Sequence, residues 1–310
     1  MSEETVVKTN KRRPWLAVTL SFIMPGLGHI YCGRFARAVM FLFICTLPGL
    51  FIQVAVRSDP ASMIMFLLTP MIALYYILWL VVLVDSYRMA KRATTDYVLK
   101  DYNRWYVYLL LVLANMGGSI EEALSLRENY IEAFYVPAWS MFPTIENGDR
   151  FIANKIVYKN KDPQRGDIVV FKNPEDRRVT YIKRVVAVAG DTVEMTDGEL
   201  SVNGHKLKTT SVGPSGFTYE HGRLEGQVFF EQNGDARYKV FITSGDHPDL
   251  AMMDFGPVTV PPNHCFVLGD NRCNSKDSRH FGPVPLATIK GRAGFLYFPA
   301  RNWSRFGKID

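Results

Sequence analysis

The sequence predicts a multi-pass α-helical membrane region at the N-terminus, followed by a mainly antiparallel β domain. Three observations support this fold class. Leu, Ile, Val, Phe, Met and Tyr dominate residues 14–120, whereas residues 127–310 have the composition of a water-soluble domain. The apolar part contains charge-free stretches of about 20 residues, the length of a membrane-spanning helix. From Asp149 onward, short runs of β-branched and aromatic residues alternate with turn residues, which is typical of strands.

Composition and charge favour a membrane over a nucleic acid as the partner of this chain. At 48% hydrophobic residues, the 310-residue chain is more apolar than an ordinary soluble protein. Its net charge of +6 arises largely at the edges of the apolar segments, where cytoplasmic loops of membrane proteins carry Lys and Arg. We therefore predict contact with a lipid bilayer and none with nucleic acid. The basic residues at these edges are Lys11, Arg12, Arg13, Arg34, Arg37, Arg88, Lys91 and Arg92.

Cysteine and histidine give no sign of a metal or cofactor. Neither the four cysteines (Cys32, Cys45, Cys265 and Cys273) nor the six histidines have the spacing of a zinc site. The sequence therefore predicts no metal and no cofactor. Cys265 and Cys273 fall in the β domain, where an oxidising compartment would allow a disulfide. Their spacing alone leaves the disulfide open, since bridged Cα atoms lie within about 7 Å of each other.

Three apolar segments are predicted to span the membrane as helices. Ala38–Val56 and Met63–Val84 contain no charged residue. Trp105–Ile120 begins with aromatic residues suited to the membrane interface and ends before Glu121 and Glu122. The first two segments have the length that a helix needs to cross the hydrocarbon core, and Trp105–Ile120 is a shorter third candidate.

Pro14–Tyr31 is predicted to be a re-entrant segment. The residues PGLGH interrupt it in the middle, and basic residues flank it on both sides. If it enters and leaves on one side, all basic loops are cytoplasmic and the β domain lies outside the cell membrane. A full crossing would conflict with this charge rule or place the β domain inside. The predicted regions are a cytoplasmic basic N-terminus (1–13), a membrane module (14–92), a cytoplasmic linker (93–104), a transmembrane anchor (105–120) and an extracytoplasmic β-rich domain (121–310).

Seven strand-like runs make up the predicted β domain. No long amphipathic helix interrupts them, and Asp197-Gly198 and Asn203-Gly204 are dipeptides favoured in two-residue hairpins. The runs are residues 150–158, 166–173, 179–190, 191–204, 237–243, 264–271 and 291–299.

Two residues of this domain have surroundings that suit catalysis. Ser140 lies in the proline-stiffened segment YVPAWSMFPTIENGDR, although an ordinary loop serine is the simpler interpretation. Lys183 shares one face of a predicted strand with Val179, Tyr181 and Val185. Burial there would lower its pKa toward the range of a general base. The alternative is an edge-strand lysine that extends its amine into solvent.

The segment GDNRCNSKDSRHFG (269–282) is a polar loop that directly follows an apolar strand. It is either a solvated loop or a polar network. In a network, Asp277 and Arg279 can form an ion pair, and Ser275 can hydrogen bond toward a catalytic amine.

Four segments, in this order, resemble the bacterial type I signal peptidases (leader peptidases), which are Ser/Lys serine endopeptidases. They are SMFPTIENGD (140–149), RGDIVVFKNP (165–174), YIKRVVAVAGD (181–191) and GDNRCNSKDSRHFGPVP (269–285). The resemblance covers roughly residues 127–300. In the N-terminal part, PGLGHIYCGR resembles the signature of small TM2-like membrane modules.

The resemblance to the signal peptidases implies roles for residues at matching positions. Ser140 would be the nucleophile and its backbone N–H an oxyanion donor, while Lys183 would be the general base. The residues with supporting roles would be Ser275 (orienting the amine), Asp277 and Arg279 (holding the loop), and Tyr181 and Met141 (lining the site).

The same resemblance implies a reaction and a location. Family members remove signal peptides from secreted precursors by cleaving after small residues, typically Ala-x-Ala. The expected partners are signal-peptide-bearing precursors, the bilayer and the secretion translocon. The expected location is the bacterial cytoplasmic (inner) membrane, with the catalytic domain on its outer side. An apolar lip beside Ser140 would rest on lipid; its residues are Phe134, Tyr135, Val136, Trp139, Met141 and Phe142.

Two alternatives remain at this point. A Ser-His-Asp arrangement would use His280, and a catalytically silent homologue would bind signal sequences or assist secretion. The presence of both Ser140 and Lys183 argues against a silent homologue. The chain departs from the family pattern at Ala138, where many members have Ser or Gly, at Cys273, where Asp is usual, and in its additional N-terminal spans.

Overall fold

A computed structural model of the chain shows two compact units, Met1–Arg127 and Glu128–Asp310. The structure describes residues 11–58, 63–93, 101–219, 222–244 and 254–309. Most of the predicted N-terminal segment 1–13 and of the predicted linker 93–104 therefore lies outside the described residues.

The first unit consists of helices. The first helix begins at Pro14, a residue that suits the first turn because its missing N–H would have no helical partner there. Met24, Pro25 and Gly26 separate the first two helices, at the interruption that the sequence shows in Pro14–Tyr31. The helices are α1 (Pro14–Ile23), α2 (Leu27–Tyr31), α3 (Phe35–Ser58), α4 (Met63–Arg92) and α5 (Trp105–Asn129), with a short 3-10 turn at Asp101–Asn103.

Two of the described helical stretches are long and apolar enough to cross a membrane, judged by length and composition. They are Pro70–Arg92 in α4 and Trp105–Asn129, which is α5. The predicted span Met63–Val84 lies within α4. The predicted span Ala38–Val56 lies within α3, whose described apolar stretch, Phe35–Phe51, is shorter.

Helix α5 is longer than the anchor predicted at Trp105–Ile120. It continues through Glu121 and Glu122 to Asn129, because Glu, Ala and Leu in this stretch all favour helix. The first strand begins directly after it, at Ile131. The helix therefore extends nine residues beyond the predicted anchor, from residue 120 to residue 129.

The described residues of the second unit form three antiparallel sheets, which confirms the predicted mainly antiparallel β domain. Its strands are β1 (Ile131–Tyr135), β2 (Arg150–Asn154), β3 (Ile168–Lys172), β4 (Thr180–Val188), β5 (Thr192–Thr196), β6 (Glu199–Val202), β7 (His205–Lys206), β8 (Lys208–Tyr219), β9 (Gly222–Asn233), β10 (Ala236–Thr243), β11 (Phe255–Thr259), β12 (His264–Leu268), β13 (Val284–Pro285), β14 (Ile289–Phe298) and β15 (Gly307–Lys308). A one-turn helix, α6 (Ser278–Phe281), precedes β13, and 3-10 turns occur at Leu286–Thr288 and Trp303–Arg305.

Strand order places β3 and β4 in the interior of the large sheet. That sheet has the order β1-β2-β14-β3-β4-β12-β13, with β15 paired to β14. The two smaller sheets have the orders β10-β9-β8 and β11-β5-β6-β7. Strand β3 is buried along nearly its whole length, and its residue Val169 pairs with Lys183 of β4. The sheet therefore fixes the backbone of Lys183 through its pairing with β3, and β12 pairs with β4 from the next residue, Arg184.

The two predicted hairpin turns are present. Asp197 and Asn203 have φ angles of 50° and 54°, and each is followed by a glycine with positive φ. This is the geometry that a two-residue turn requires. The turns connect β5 to β6 and β6 to β7.

Strands β8 and β9 are absent from the sequence-based prediction. The residues Gly213, Pro214, Ser215 and Gly216 are typical of turns, yet they form part of a twelve-residue strand paired to β9. Long-range packing accounts for this difference, because a core of buried aromatic and aliphatic side chains covers the hairpin. The buried residues of that core are Phe142, Phe217, Leu224, Val228 and Phe241.

All four cysteines are buried free thiols, so the structure contains no Cys265–Cys273 disulfide. Cys265 is in β12, where it packs against Val185 and Val267 in the core. Cys273 lies in the polar loop, three residues after Asp270.

Candidate active site

The structure brings together Ser140 and Lys183, the two residues that the sequence marks for catalysis. Nζ of Lys183 lies 2.8 Å from Oγ of Ser140. Lys183 belongs to β4, whereas Ser140 lies in the loop between β1 and β2. The amine also donates a hydrogen bond to the carbonyl oxygen of Ile182 at 2.8 Å.

The lysine amine is shielded from solvent. Only 3% of Lys183 is exposed, so it is not a lysine that extends into water. Burial lowers the pKa of Lys183 to about 8, while the carboxylates of Asp277 and Asp270 act in the opposite direction. A lysine with this pKa is partly neutral near neutral pH, as a general base must be.

The Asp149 carboxylate stabilises the C-terminal end of the loop that carries Ser140. This carboxylate is fully buried and accepts hydrogen bonds from the backbone N–H groups of Glu146 and Ala300. It also forms an ion pair with Arg305 at 2.7 Å. The turn that the sequence shows at Glu146–Asp149 is therefore fixed to the C-terminal part of the chain.

The polar loop 269–282 contacts the segment around Ser140 directly. The backbone N–H of Asn271 donates to the carbonyl oxygen of Ser140 at 3.1 Å. Its side-chain amide donates to the carbonyl oxygen of Trp139 at 3.2 Å. Asn271 thus positions two consecutive carbonyl groups, those of Trp139 and Ser140.

Gly269 is tightly surrounded at the same contact. A Cβ atom at this position would lie 2.5 Å from both the carbonyl oxygen of Ser140 and the Cβ of Ser275, and closer still to the Ser275 hydroxyl. Real Cβ atoms do not approach other atoms this closely. The loop can reach Ser140 only because residue 269 has no side chain.

Asp277 and Arg279 form a buried ion pair within the loop. Nε and Nη2 of the guanidinium each donate to the carboxylate at 2.8 Å, and the carboxylate also accepts from the Gly269 N–H at 2.9 Å. Burial acts to raise the pKa of Asp277, but the Arg279 guanidinium outweighs it and holds that pKa below its usual value. The carboxylate therefore stays charged and keeps the loop in shape.

The other predicted site residues have different surroundings. The Tyr181 ring centroid lies 5.3 Å from Nζ of Lys183. Ser275 is buried and makes no hydrogen bond to Lys183; its hydroxyl lies beside the Asp277 carboxylate and helps to lower the pKa of Asp277. Met141 is fully buried in the core with Ile145, so its side chain lies beneath the site.

A groove of about 450 Å³ lies beside Ser140 and Lys183. Its walls come mainly from the segment before Ser140, from β4 and from the polar loop. The lining residues are Phe134, Tyr135, Val136, Pro137, Ala138, Trp139, Ser140, Phe151, Val170, Val179, Thr180, Tyr181, Ile182, Lys183, Asn274 and Lys276. Most of these side chains are apolar, so the groove suits apolar groups of a ligand.

The predicted apolar lip is only partly at the surface. Val136, Met141 and Phe142 are buried, because they pack into the cores of the large sheet and of the β8–β9 hairpin. Tyr135 is 59% exposed. Trp139 stacks on Phe217 of the hairpin, with ring centroids 4.3 Å apart.

Two buried ion pairs near the site are missing from the sequence-based prediction. Arg184 pairs with Asp270 at 2.7 Å and 2.8 Å. Arg272 pairs with Glu231 of β9 at 2.9 Å and 2.6 Å, and both side chains are only 3% exposed. Charged residues between apolar neighbours in β4 and in the loop indicate buried charges. Their partners are far away in sequence, so the pairs cannot be read from the local pattern. In the part of the chain that the structure describes, no group of three or more His, Cys, Asp or Glu side chains could hold a metal ion.

Comparison with known proteins identifies the family. Residues 103–298 match the model of the family described as signal peptidase, peptidase S26. Signal peptidase I T of Bacillus subtilis (strain 168) is 33% identical over 216 residues, covering 69% of this chain and 92% of the relative. Signal peptidase I of Leptolyngbya laminosa is 34% identical, covering 63% of this chain and 82% of the relative.

The chain belongs to the signal peptidase family, peptidase S26. The resemblance carried by the four segments is thereby confirmed, and the chain is a serine endopeptidase of the signal peptidase I kind. A solved structure of a signal peptidase I from Enterococcus faecalis is 28% identical and covers 43% of this chain and 97% of its own, with a TM-score of 0.26.

The contact at Gly269 gives a prediction for this peptidase. We expect Gly269→Ala to lower kcat/KM on the order of a hundredfold, because the new methyl group displaces Ser140 from Lys183. The measurement is steady-state cleavage of a precursor peptide, with the melting temperature as a check that the variant folds. Gly294→Ala is the matched control, since its Cβ would make only an ordinary contact, 3.7 Å from the Ile152 carbonyl oxygen. Equal activity of the folded Gly269→Ala variant would show that residue 269 does not position Ser140.

Proposed function

We propose that this chain removes signal peptides from secreted precursor proteins by Ser/Lys acyl transfer. The proposal depends on one observation, the 2.8 Å contact between the buried amine of Lys183 and the hydroxyl of Ser140. Relatives that are 31–34% identical to it over the aligned residues are named signal peptidase I or signal peptidase I T. The family resemblance adds cleavage after small residues, as in Ala-x-Ala.

In the proposed reaction, neutral Lys183 is the general base. Its Nζ accepts the proton of the Ser140 hydroxyl as the Oγ forms a bond to the scissile carbonyl carbon. The resulting tetrahedral intermediate collapses by breaking the C–N bond, and the ammonium of Lys183 protonates the leaving amine. Water, deprotonated by the same amine, then attacks the acyl-enzyme and releases Ser140 with its proton restored.

The oxyanion of the tetrahedral intermediate needs donors that are not already in use. No described residue accepts a hydrogen bond from the backbone N–H of Ser140, so this group is available as one donor. Each such donor contributes roughly a hundredfold or more to turnover. Ala138 has a methyl group where relatives with Ser would offer a hydroxyl, so a second donor must be a water or another backbone N–H.

The groove supports binding of the substrate as an extended strand. From Thr180 to Ile182, β4 is paired with β3 on one side only, because β12 begins its pairing at Arg184. The free edge faces the groove that Pro137 and Ala138 line from the other wall. A peptide can form backbone hydrogen bonds along such an edge while its side chains enter pockets at alternate positions.

We propose the supporting roles on the same grounds. Asp277 and Arg279 keep the loop 269–282 in shape, and Tyr181 covers the amine of Lys183. Ser275 would orient that amine after a rotation that turns its buried hydroxyl from the Asp277 carboxylate toward Lys183. Met141 would set the floor of the site from the core.

The alternatives are less compatible with this geometry. His280 is exposed on α6 and makes no hydrogen bond to Ser140 in the described structure. In a catalytically silent homologue, a buried lysine amine within hydrogen-bond distance of a serine hydroxyl would have no function. Burial of such an amine costs folding free energy, and it persists where the amine has a function.

The mechanism predicts the effect of removing either partner. Ser140→Ala and Lys183→Ala should each lower kcat for a precursor peptide by about 10⁴-fold or more, and the double variant should lose little beyond either one. Lys172→Ala, at an exposed lysine on neighbouring β3, and His280→Ala should retain activity. Substantial cleavage by Lys183→Ala would remove the lysine from the mechanism and favour His280.

The pKa of Lys183 predicts a pH dependence. Because only the neutral amine can accept the serine proton, kcat/KM should rise with pH and level off above about 8. The measurement is cleavage of an uncharged peptide across this range in one detergent. A profile that is flat below pH 8, or that falls as pH rises, would exclude a buried lysine as the base.

We also propose a multi-pass location in the bacterial cytoplasmic membrane. Helices α4 and α5 each contain a stretch able to span a bilayer, and the break between α1 and α2 suits a re-entrant segment. In this topology the basic ends of α1 and α4 are cytoplasmic, and the region after α5 lies outside, where the bilayer and the translocon deliver precursors.

Reporter fusions test this topology. A reporter placed after Arg92 should indicate the cytoplasm, and one placed after Asp310 should indicate the outside, because one span separates them. Fusions to the Ser140→Ala protein control for self-cleavage of the reporter. Two reporters in the same compartment would contradict the proposed count of crossings.

A further inference from the structure

We infer that the first unit binds an anionic phospholipid in a groove between α1 and α4. The groove has a volume of about 740 Å³. Val18 forms its α1 wall, and the rest of its lining comes from the last turns of α4. The α4 residues are Leu83, Val84, Tyr87, Arg88, Lys91 and Arg92.

The spacing of these residues places them along one side of α4. Val84, Arg88 and Arg92 follow one another at four-residue steps, and so do Leu83 and Tyr87, so side chains in each row are neighbours on the helix surface. The apolar end of the groove therefore continues without interruption into a basic end. A lipid has the same order, with an acyl chain next to a phosphate.

The three cations have no internal charge partner. Arg88, Lys91 and Arg92 are exposed, and none forms an ion pair with a carboxylate among the described residues. The nearest carboxylate along α4, that of Asp85, contacts the His29 ring and the Arg37 guanidinium instead. The positive charge of the groove is thus available to an external anion.

The position of the groove selects a lipid as that anion. The cations end the stretch Pro70–Arg92, which has the length and apolarity of a span, so they lie at the level of lipid headgroups. Basic clusters at this level attract anionic headgroups, and Tyr87 is a residue type common there. Soluble phosphate would leave the apolar wall of Val18, Leu83 and Val84 without a function. This inference rests on the proposed membrane location.

The experiment uses the full chain in vesicles that contain equal amounts of phosphatidylglycerol and phosphatidylcholine. After extraction with a mild detergent, the lipids that remain bound are counted by class. The test variant is Arg88→Gln/Lys91→Gln/Arg92→Gln. The matched control, Lys11→Gln/Arg13→Gln/Arg34→Gln, removes the same charge from exposed cations that flank α1 and α3 but do not line the groove.

We expect phosphatidylglycerol to be enriched on the wild-type and control proteins. The groove variant should lose most of this enrichment, on the order of a hundredfold in the preference at the site, which corresponds to about 1 kcal/mol for each cation. An excess of inorganic phosphate should leave the enrichment unchanged. Equal loss in both variants, no enrichment at all, or displacement of the lipid by phosphate would overturn the inference.

The proposed function is tested separately in the same samples. Failure of the wild-type protein to enter the vesicles would refute the membrane location, and failure to cleave a precursor peptide would refute the proposed reaction. The groove variant should still cleave that peptide, since its three substitutions lie outside the catalytic unit. Loss of lipid preference with cleavage retained would therefore assign the groove to lipid binding.

Discussion

Nζ of Lys183 lies 2.8 Å from Oγ of Ser140, and only 3% of the lysine is exposed. This solvent-shielded contact constrains the rest of the second unit. Water has to be kept from the amine, which the packed interior around β3 and β4 achieves. The serine has to be held by a loop whose buried polar groups are satisfied, because each unsatisfied one costs about 1–3 kcal/mol. Asp149 satisfies the N–H of Glu146 in this loop, and Asn271 satisfies the carbonyl oxygens of Trp139 and Ser140.

Three buried ion pairs stabilise the loop that contacts Ser140. Asp270, Arg272 and Asp277 each belong to this loop, and each has a partner of opposite charge. Removing one partner from a buried pair costs about 3–5 kcal/mol, since the other charge remains without compensation. Through Glu231, the three-stranded sheet β8–β10 becomes part of this support, although none of its residues lines the groove.

The sequence allowed prediction of the parts of the fold and site that depend on local pattern. Alternation in β4 predicted the burial of Lys183, and the Asp-Gly and Asn-Gly dipeptides predicted two turns. The β8–β9 hairpin escaped prediction because its turn-like residues are held in strands by a distant core that contains Phe241. The Arg272–Glu231 pair escaped for the same reason, as no local signal indicates which distant residue neutralises a buried charge. The C-terminal end of α5 was not predicted, because charged residues that favour helix continue the apolar helix without a break.

Burial of Lys183 also has a consequence for the folding equilibrium. The side chain has a pKa near 10.5 when solvated and about 8 in the folded protein. Between these values the unfolded chain binds a proton that the folded chain does not, so stability increases as pH rises through this window. Below about pH 8 the folded state carries the full penalty, on the order of 3 kcal/mol. At neutral pH, the side chain proposed to abstract the serine proton therefore favours the unfolded chain, and the remaining contacts of the unit must offset it.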